Sequence, residues 1–310
     1  MQIDGATRDA LIAAGSRARA TMQAWREGAA FAAGVAAFAG CGDSPGRAAD
    51  CAERLLEDGD WAAALLAPLL VALAADPLFE PALKFHRDSM RIGAVVFDCP
   101  AASIAASVTR PAPPPATIVF TGRIAVTRTI RTGGASLRRW LAEPMGPDFV
   151  AADAGRCRPA GAVPLCDGVV HRTDGRTEAQ LVCDAASDVV TLTATIRTGA
   201  ASLMREYDIA TGALLRVADA DDRPSRTAML LRFLRVAGRA DAGACFAEAT
   251  RAEGFHLRWA AMREWLALDA AGALPRLTEM ALRDSNREVR AAAACMLSVV
   301  TNRLEQRCPG

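Results

Sequence analysis

Three short segments near the C-terminus share a pattern at a fixed spacing. Residues 225–228 (Ser-Arg-Thr-Ala), 257–260 (Leu-Arg-Trp-Ala) and 289–292 (Val-Arg-Ala-Ala) begin 32 residues apart, and each opens a stretch with helical periodicity. A repeat of this length is typical of stacked helix pairs, in which each unit buries its apolar side against the next. The pattern therefore predicts a short helical array over residues 221–310, an architecture that supplies surfaces more often than catalytic groups.

Within this array, the helices are expected over about 226–237, 257–268 and 273–282, with a further helix opening at Val289. Apolar residues recur at the repeat spacing and are predicted to fill the core between successive repeats: Phe233, Trp265 and Leu297, and Val236, Leu268 and Val300.

Asp284 followed by Glu288-Val289-Arg290 resembles the HEAT repeat, in particular the short variety named after phycobilisome lyases. In that family the turn Asp and the second-helix Arg tie neighbouring repeats together. The resemblance therefore implies structural anchor roles for four residues: Arg226, Arg258, Asp284 and Arg290. It also implies contact with a protein partner through the C-terminal repeats. The preceding repeat departs from the pattern, because its turn offers only Glu253 in the Asp place.

The N-terminal region, residues 1–80, is predicted to be helical. Apolar residues at helical spacings form one stripe there: Met22, Trp25, Phe31, Val35 and Phe38. The most apolar run, residues 61–75, is shorter than the roughly 20 residues that a membrane-spanning helix needs, so we expect a buried helix and no membrane contact. Asp76-Pro77 should end it, because the residue before a proline avoids the helical conformation.

The central region, residues 81–220, changes from a helical period to a period of two. Ile124, Val126 and Ile130 alternate with Thr and Arg, and residues 190–197 repeat the alternation. Alternation of this kind is typical of half-buried antiparallel strands, and many short strands favour a sandwich or roll. The expected fold is therefore α+β and multidomain, with a helical region (1–80), an antiparallel β-roll or sandwich (81–220) and a short α-solenoid (221–310).

A second internal repeat lies within the strand region. Residues 129–138 (Thr-Ile-Arg-Thr-Gly-Gly-Ala-Ser-Leu-Arg) match residues 195–204 at eight of ten positions, with an offset of 66. One interpretation is a duplication in which two strand–turn–strand units face each other in a pseudo-symmetric roll. The other is that both segments are simply favourable hairpin sequences.

Candidate ligand-binding residues come from this second repeat. Opposed arginines from two related hairpins could converge on one carboxylate or phosphate, and the candidates are Arg131, Arg139, Arg197 and Arg205. His171 is added because it lies on a predicted strand just before Asp174, with which it could pair. A double-stranded roll is similar to the cupin superfamily, whose metal motif requires two His separated by one residue. That spacing does not occur here, so the roll is predicted to be metal-free and no cofactor is expected.

Composition restricts the partners. With 36 basic and 35 acidic residues, the protein has no net electrostatic field that would favour binding to nucleic acid.

The nine cysteines include no C-x-x-C pair, and whether Cys157 pairs with Cys166 is left open. The N-terminus lacks the pattern of a signal peptide, so a cytoplasmic location is expected.

The chain contains none of the nucleophile, phosphate-loop or dinucleotide motifs that mark common enzyme classes. The sequence therefore favours a non-enzymatic interaction or scaffold protein that uses its C-terminal helices, with its oligomeric state open and no catalytic residue assigned. The alternative is a sensor for a small anionic or sugar-like ligand, or a metal-free enzyme, with its pocket in the β-roll.

Overall fold

The computed structural model describes residues 4–146, 149–220 and 222–307. It divides into two compact units whose segments alternate along the chain. Unit 1 comprises the chain up to Pro115, Arg123–Leu141 and Pro159–Ala200. Unit 2 comprises Ala116–Gly122, Ala142–Arg158 and the chain from Ala201 onward. The α+β class is confirmed, but the predicted limits 1–80, 81–220 and 221–310 do not coincide with these units.

Unit 1 begins with four helices: α1 (Gly5–Arg26), α2 (Ala29–Ala39), α3 (Pro45–Glu57) and α4 (Gly59–Ala75). Side chains that accept backbone N–H groups start three of them. Asp4 caps α1, Ser44 caps α3 and Asp58 caps α4, as short polar residues at helix N-termini do. These caps satisfy donors that the first turn leaves without helical partners.

The strands then follow in chain order: β1 (Lys84–Arg87), β2 (Arg91–Asp98), β3 (Ala102–Thr109), β4 (Thr117–Phe120), β5 (Ile124–Arg131), β6 (Ser136–Leu141), β7 (Arg158–Pro164), β8 (Val170–Asp174), β9 (Glu178–Cys183), β10 (Val189–Ile196), β11 (Leu203–Asp208) and β12 (Leu214–Asp219). In unit 1 they form a six-stranded sheet of order β1-β2-β3-β10-β5-β8 and a three-stranded sheet of order β7-β6-β9. Unit 2 contains the sheet β12-β11-β4.

The helices and the six-stranded sheet of unit 1 share one hydrophobic core. Phe97 of β2 is buried at its centre. The ring centroids of Phe31, Phe38 and Trp61 lie 5.0, 6.1 and 6.1 Å from that of Phe97. The Trp61 indole also donates to the Ala30 carbonyl over 2.8 Å. The core therefore continues across the predicted boundary at residue 80, because strands that follow the N-terminal helices cover most of their apolar stripe, while Val35 is exposed.

The repeat with an offset of 66 forms a local two-fold axis inside the six-stranded sheet. β5 and β10 pair antiparallel, with Thr127 opposite Thr193 and their hydroxyls 3.1 Å apart. On one side of this pair Ala125 lies opposite Thr195. On the other side Thr129 lies opposite Thr191, so each strand presents the same positions to its partner. The pairing supports the interpretation of the repeat as a duplication with pseudo-symmetry.

The repeated Thr-Gly segments are not hairpin turns, however. β5 belongs to the six-stranded sheet and β6 to the sheet β7-β6-β9, while β10 and β11 likewise belong to different sheets. Both turns require glycine, with φ of 58° at Gly133 and 63° at Gly199. The repeat therefore marks two equivalent corners at which the chain leaves one sheet for another.

The C-terminal part of unit 2 is helical: α5 (Asp222–Val236), α6 (Gly243–Ala249), α7 (Phe255–Leu268), α8 (Ala270–Arg283) and α9 (Arg287–Arg307). Its core includes Phe246, Met262, Trp265, Leu277 and Met280. The predicted helix limits agree within a few residues from α7 onward.

Two residues predicted to lie in the inter-repeat core are exposed instead. Phe233 and Val236 of α5 are 66% and 70% exposed, while Leu231 of the same helix is 3% exposed. Leu231 lies two residues before Phe233, which places it on a different side of the helix. α5 is therefore rotated relative to the prediction, and its buried side does not follow the spacing of 32.

No single helix within residues 4–146, 149–220 and 222–307 is long and apolar enough to cross a bilayer. α3 and α4, which meet at an angle of 74°, satisfy the length and composition criteria only when they are taken together.

Candidate functional site

Two of the predicted anchors form a buried ion pair in unit 2. The Arg258 guanidinium donates to both carboxylate oxygens of Asp284 over 2.9 and 2.7 Å. The two side chains are only 9% and 2% exposed. Burial acts to raise the pKa of Asp284, but the hydrogen bonds from Arg258 and from the Asn286 backbone hold that pKa below its usual value. The carboxylate is therefore charged at neutral pH, and the pair joins α7 to the turn between α8 and α9.

Arg258 and Arg290 make the same backbone contacts one repeat apart. Nη1 of Arg258 donates to the carbonyls of Ala252 and Glu253, and Nη1 of Arg290 donates to those of Asp284 and Ser285. In each case the acceptors precede the arginine by six and five residues. This contact is shared by the second and third segments of the repeat.

Arg226, the first predicted anchor, is exposed on α5. The residue that corresponds to Asp284 one repeat earlier is Ala252, which has no carboxylate. Position 252 therefore cannot supply the carboxylate that Asp284 supplies one repeat later.

The arginines predicted to converge on a ligand are divided between the two units. Arg131 is exposed at the end of β5. Arg139 pairs with Glu178 across β6 and β9, and Arg197 pairs with Asp98 and donates to the Cys99 carbonyl. These three belong to unit 1, whereas Arg205 belongs to unit 2. Within unit 1, Arg139 and Arg197 are therefore already paired with carboxylates, Arg139 across neighbouring strands and Arg197 with the end of β2.

His171 does not pair with Asp174. Its Nε2 lies 3.2 Å from the Gln180 side-chain nitrogen, and Asp174 instead forms an ion pair with Arg176. Burial lowers the pKa of His171, so the imidazole is neutral at pH 7. A neutral ring nitrogen can accept a hydrogen bond, so His171 can accept one from the Gln180 side chain.

A cavity of unit 2 has a volume of about 550 Å³, within the range that small-molecule sites occupy. Its lining comes from three parts of the chain, namely the segment after β6, strand β11 and the first turn of α9: Glu143, Pro144, Gly146, Phe149, Val150, Asp153, Ala154, Gly155, Arg205, Tyr207, Arg287 and Arg290.

Buried polar contacts hold these three parts together. Asn286 is 1% exposed, and its side-chain oxygen caps α9 by accepting from the N–H groups of Glu288 and Val289. The same side chain donates from Nδ2 to the Phe149 carbonyl over 3.1 Å. Further along, the Cys157 N–H donates to the Gly212 carbonyl over 2.9 Å. The start of α9 is therefore fixed to the cavity wall by one asparagine.

Arg205 is the one predicted ligand-binding arginine that lines this cavity. It is buried on β11, where Nη1 donates to the Glu143 carbonyl over 2.7 Å and to the Tyr207 hydroxyl over 3.1 Å. Its guanidinium carbon also lies 5.3 and 5.7 Å from the ring centroids of Phe120 and Tyr207, at cation–π distances. These contacts hold a permanent positive charge rigidly in the wall.

Tyr207 and Arg290 provide further donors. Burial raises the pKa of Tyr207, so its hydroxyl stays protonated. Since that hydroxyl accepts from Arg205, its own proton is available to donate. Among the described residues, the hydrogen bonds of Arg290 involve only Nη1, which leaves Nε and Nη2 for another acceptor.

Acidic groups complete the lining. Asp153 forms an exposed ion pair with Arg287, and Glu143 is also exposed. Arginines bind carboxylates and phosphates, whereas carboxylates accept hydrogen bonds from hydroxyls. The arrangement is therefore chemically suited to a molecule that carries both an anionic group and hydroxyl groups.

Sequence reasoning predicted two of these residues, Arg205 as a ligand residue and Arg290 as a structural anchor, but not that they share a cavity. Tyr207 and Arg287 were missed. The one available signal was that Tyr207, the only tyrosine of the chain, lies three residues after the repeated segment 195–204.

Among the described residues, no group of three or more His, Cys, Asp or Glu side chains has an arrangement that could hold a metal ion. Cys157 and Cys166 are both free thiols, the first buried and the second exposed.

No protein-family model and no curated protein matches this chain. Solved structures that are similar to it include a cupin domain from Bordetella pertussis Tohama I, with 14% identity over 36% of this chain and 98% of that one and a TM-score of 0.25. A sugar phosphate isomerase of the cupin superfamily from Silicibacter pomeroyi has 9% identity, coverages of 42% and 76%, and a TM-score of 0.26. An uncharacterised protein with a double-stranded β-helix domain from Klebsiella pneumoniae has 10% identity, coverages of 42% and 89%, and a TM-score of 0.27. Likenesses this weak do not identify a family or a reaction for this chain.

Proposed function

We propose that the protein binds a small hydroxylated acid, a carboxylate or a phosphate ester, in the cavity of unit 2. The observation that carries this proposal is the cluster of Arg205, Arg290 and Tyr207 around one cavity of about 550 Å³. This is the ligand-sensor alternative derived from the sequence, with the site moved from the predicted roll to the cavity between β11 and α9.

Nη1 of Arg205 already donates to the Glu143 carbonyl and the Tyr207 hydroxyl. Arg205 therefore stabilises an anion through its charge and not through a hydrogen bond from that atom. Arg290 and the Tyr207 hydroxyl are the direct donors to the anion. Glu143 and Asp153 accept from the hydroxyl groups of the same molecule. Each of these groups has a role in binding the ligand, and none is assigned a catalytic role.

A thermal-shift and calorimetric screen tests the proposal on the full chain. The probes are inorganic phosphate, sugar phosphates and hydroxycarboxylic acids. A ligand at 100 times its dissociation constant stabilises the folded state by about 2.7 kcal/mol, which a thermal shift detects. We expect at least one hydroxylated acid to bind more tightly than inorganic phosphate, since only the former meets both the arginines and the carboxylates.

Variants then locate the site. Arg290→Gln should weaken binding about tenfold or more, as expected for loss of a charge-assisted contact. Tyr207→Phe should weaken it severalfold while keeping the packing of the ring. Arg303→Gln is the matched control, because Arg303 is exposed on the same helix and does not line the cavity. A screen without any stabilising acid, or equal losses in the Arg290 and Arg303 variants, would refute the proposal.

A second candidate function, contact with a protein partner, is favoured by the exposed side of α5. Met229, Leu230, Phe233 and Val236 are each more than 60% exposed, and together they form an apolar stripe. Arg232 is exposed on the same helix. A stripe of this composition suits a partner helix with apolar residues flanked by acidic ones. The HEAT-like spacing and the shared contacts of Arg258 and Arg290 support the same candidate.

A photo-crosslinking amino acid at position 233, introduced in cells, tests this second candidate. We expect one dominant adduct with an acidic protein at position 233 and none at position 303, the control on α9. Identical adduct patterns at the two positions would contradict it, and an adduct with a second copy of the chain would replace it with self-association.

A further inference from the structure

Two cysteines of unit 1 lie within reach of each other although they are ten residues apart in sequence. The Sγ atoms of Cys41 and Cys51 are 3.1 Å apart. Cys41 follows the end of α2, and Cys51 lies in α3. A disulfide needs sulfurs about 2.05 Å apart, so a movement of about 1 Å would bring them to bonding distance. The segment between them contains Gly42, which has a φ of 52°.

The two thiols differ in their surroundings. Cys41 is 1% exposed, and its Sγ faces the carbonyls of Ala37 and Arg47. Burial and then the hydrogen bond with Cys51 raise the pKa of Cys41 to about 11, so this thiol stays protonated at neutral pH. Cys51 is only partly buried, and the Arg54 guanidinium donates to its Sγ over 3.3 Å. A neighbouring cation and access to solvent are features of reactive cysteines.

We propose that Cys41 and Cys51 form an oxidation site in which Cys51 reacts first and Cys41 closes an intramolecular disulfide. This site is independent of the cavity in unit 2. The oxidant is a peroxide. The sulfur of Cys51 attacks one peroxide oxygen, the O–O bond breaks, and the departing hydroxide leaves with the thiol proton as water. Cys51 is then a sulfenic acid.

In the second step the Cys41 sulfur attacks the Cys51 sulfur. The S–S bond forms, the S–O bond breaks, and the hydroxyl group leaves with the Cys41 proton as a second water. Hydrogen peroxide is thereby reduced to two waters while two thiols are oxidised to one disulfide. Burial of Cys41 favours this outcome, because it shields the sulfur from large thiols in solution that would otherwise form mixed disulfides.

Peptide mapping of the full chain tests the proposal. The reduced protein is treated with one equivalent of hydrogen peroxide, denatured, alkylated and digested. We expect a cross-linked peptide that joins Cys41 to Cys51, lost on treatment with a dithiol reductant. Cys41→Ser should leave a sulfenic acid on Cys51 that dimedone traps, whereas Cys51→Ser should leave Cys41 unmodified. Arg54→Gln should slow formation of the cross-link severalfold.

Cys166→Ser and Cys295→Ser are matched controls, because both thiols are exposed and neither should affect the cross-link. The wild-type map needs no variant and therefore does not depend on how the variants fold. The proposal is overturned if one equivalent of peroxide modifies Cys166, Cys245 or Cys295 while Cys41 and Cys51 both remain open to alkylation after denaturation. It is also overturned if Cys41 in the Cys51→Ser variant oxidises at the wild-type rate.

Discussion

The strand repeat of unit 1 and the helix repeat of unit 2 preserve different kinds of interaction. In the strand repeat, β5 and β10 pair with each other through their backbones about the Thr127–Thr193 contact. In the helix repeat, Arg258 and Arg290 donate to equivalent carbonyls, but within the described part of the chain only Arg258 has a carboxylate partner, Asp284. Backbone pairing tolerates most side chains, whereas the buried ion pair is lost wherever one partner is replaced.

The first segment of the predicted helix repeat differs from the other two. Ala252 stands in the place of Asp284, so the carboxylate of the buried pair is not repeated one unit earlier, and α5 is joined to α7 by a different pair, Arg235–Glu264. α5 buries Leu231 and exposes Phe233. A repeated arginine therefore does not by itself predict a repeated structure.

The largest effect should follow from breaking the buried ion pair of unit 2. Arg258→Met leaves the Asp284 carboxylate buried without its partner, and we expect the free energy of unfolding of unit 2 to fall by about 3–5 kcal/mol. Asp241→Ala is the matched control, because the Arg239–Asp241 pair has the same chemistry but is exposed. Urea unfolding followed by circular dichroism measures both. Equal stability of the Arg258→Met variant and the wild type would show that the repeat contact does not hold the helices together.

The same pair makes part of the stability dependent on pH. Because the folded-state pKa of Asp284 is lowered, its contribution is complete above the unfolded-state pKa, about 3.9, and is lost as the pH falls through the folded-state value. The stability difference between the wild type and Asp284→Asn should therefore be constant from pH 5 to 7 and become smaller below about pH 4. A difference that grew on acidification would contradict this assignment.

A comparison of two glycines tests the corner of the strand repeat. A Cβ on Gly133 would lie 2.2 Å from the Ser187 carbonyl oxygen, whereas a Cβ on Gly134 would meet nothing closer than 3.9 Å. Both have positive φ, of 58° and 76°. Gly134→Ala should therefore cost about 1 kcal/mol from backbone strain alone, and Gly133→Ala about 3 kcal/mol because the clash is added. Thermal unfolding measures both, and equal losses would mean that the close approach at Gly133 is easily relieved.

The smallest effect is expected at the two-fold axis itself. Thr127→Val removes one of two hydroxyls that bond to each other, at a cost of about 1 kcal/mol. The double variant with Thr193→Val should cost less than the sum of the two single changes, because neither hydroxyl is then left without its partner. Additive losses in a double-mutant cycle would show that the hydroxyl contact contributes nothing to the pairing of β5 and β10.

Elements with strong local signals were predicted well. The α+β class and the limits of α7 and α8 depend on helical spacing and turn residues that are close together in sequence. The division into units was not predictable in this way, because the cover for the N-terminal helices comes from strands as distant as β10. The apolar residues of α5 likewise do not indicate by themselves which side a neighbour covers.

The candidate site was only partly predictable for a similar reason. Its lining joins residues near 143–155, 205–207 and 287–290, which no local pattern connects. Arg205 was found because it directly follows the repeated segment 195–204. Arg290 was found for its structural role, and its place in the cavity depends on the Asn286–Phe149 contact, which spans 137 residues.

The position of β10 between β3 and β5 has a consequence for synthesis on the ribosome. β3 and β5 acquire their common neighbour only when residues 189–196 have emerged. At about 5–20 residues per second, the roughly 65 residues between the end of β5 and the end of β10 take several seconds to translate. During that interval β3 and β5 each carry a strand edge that lacks its final partner, and exposed edges of this kind are where other extended chains can pair.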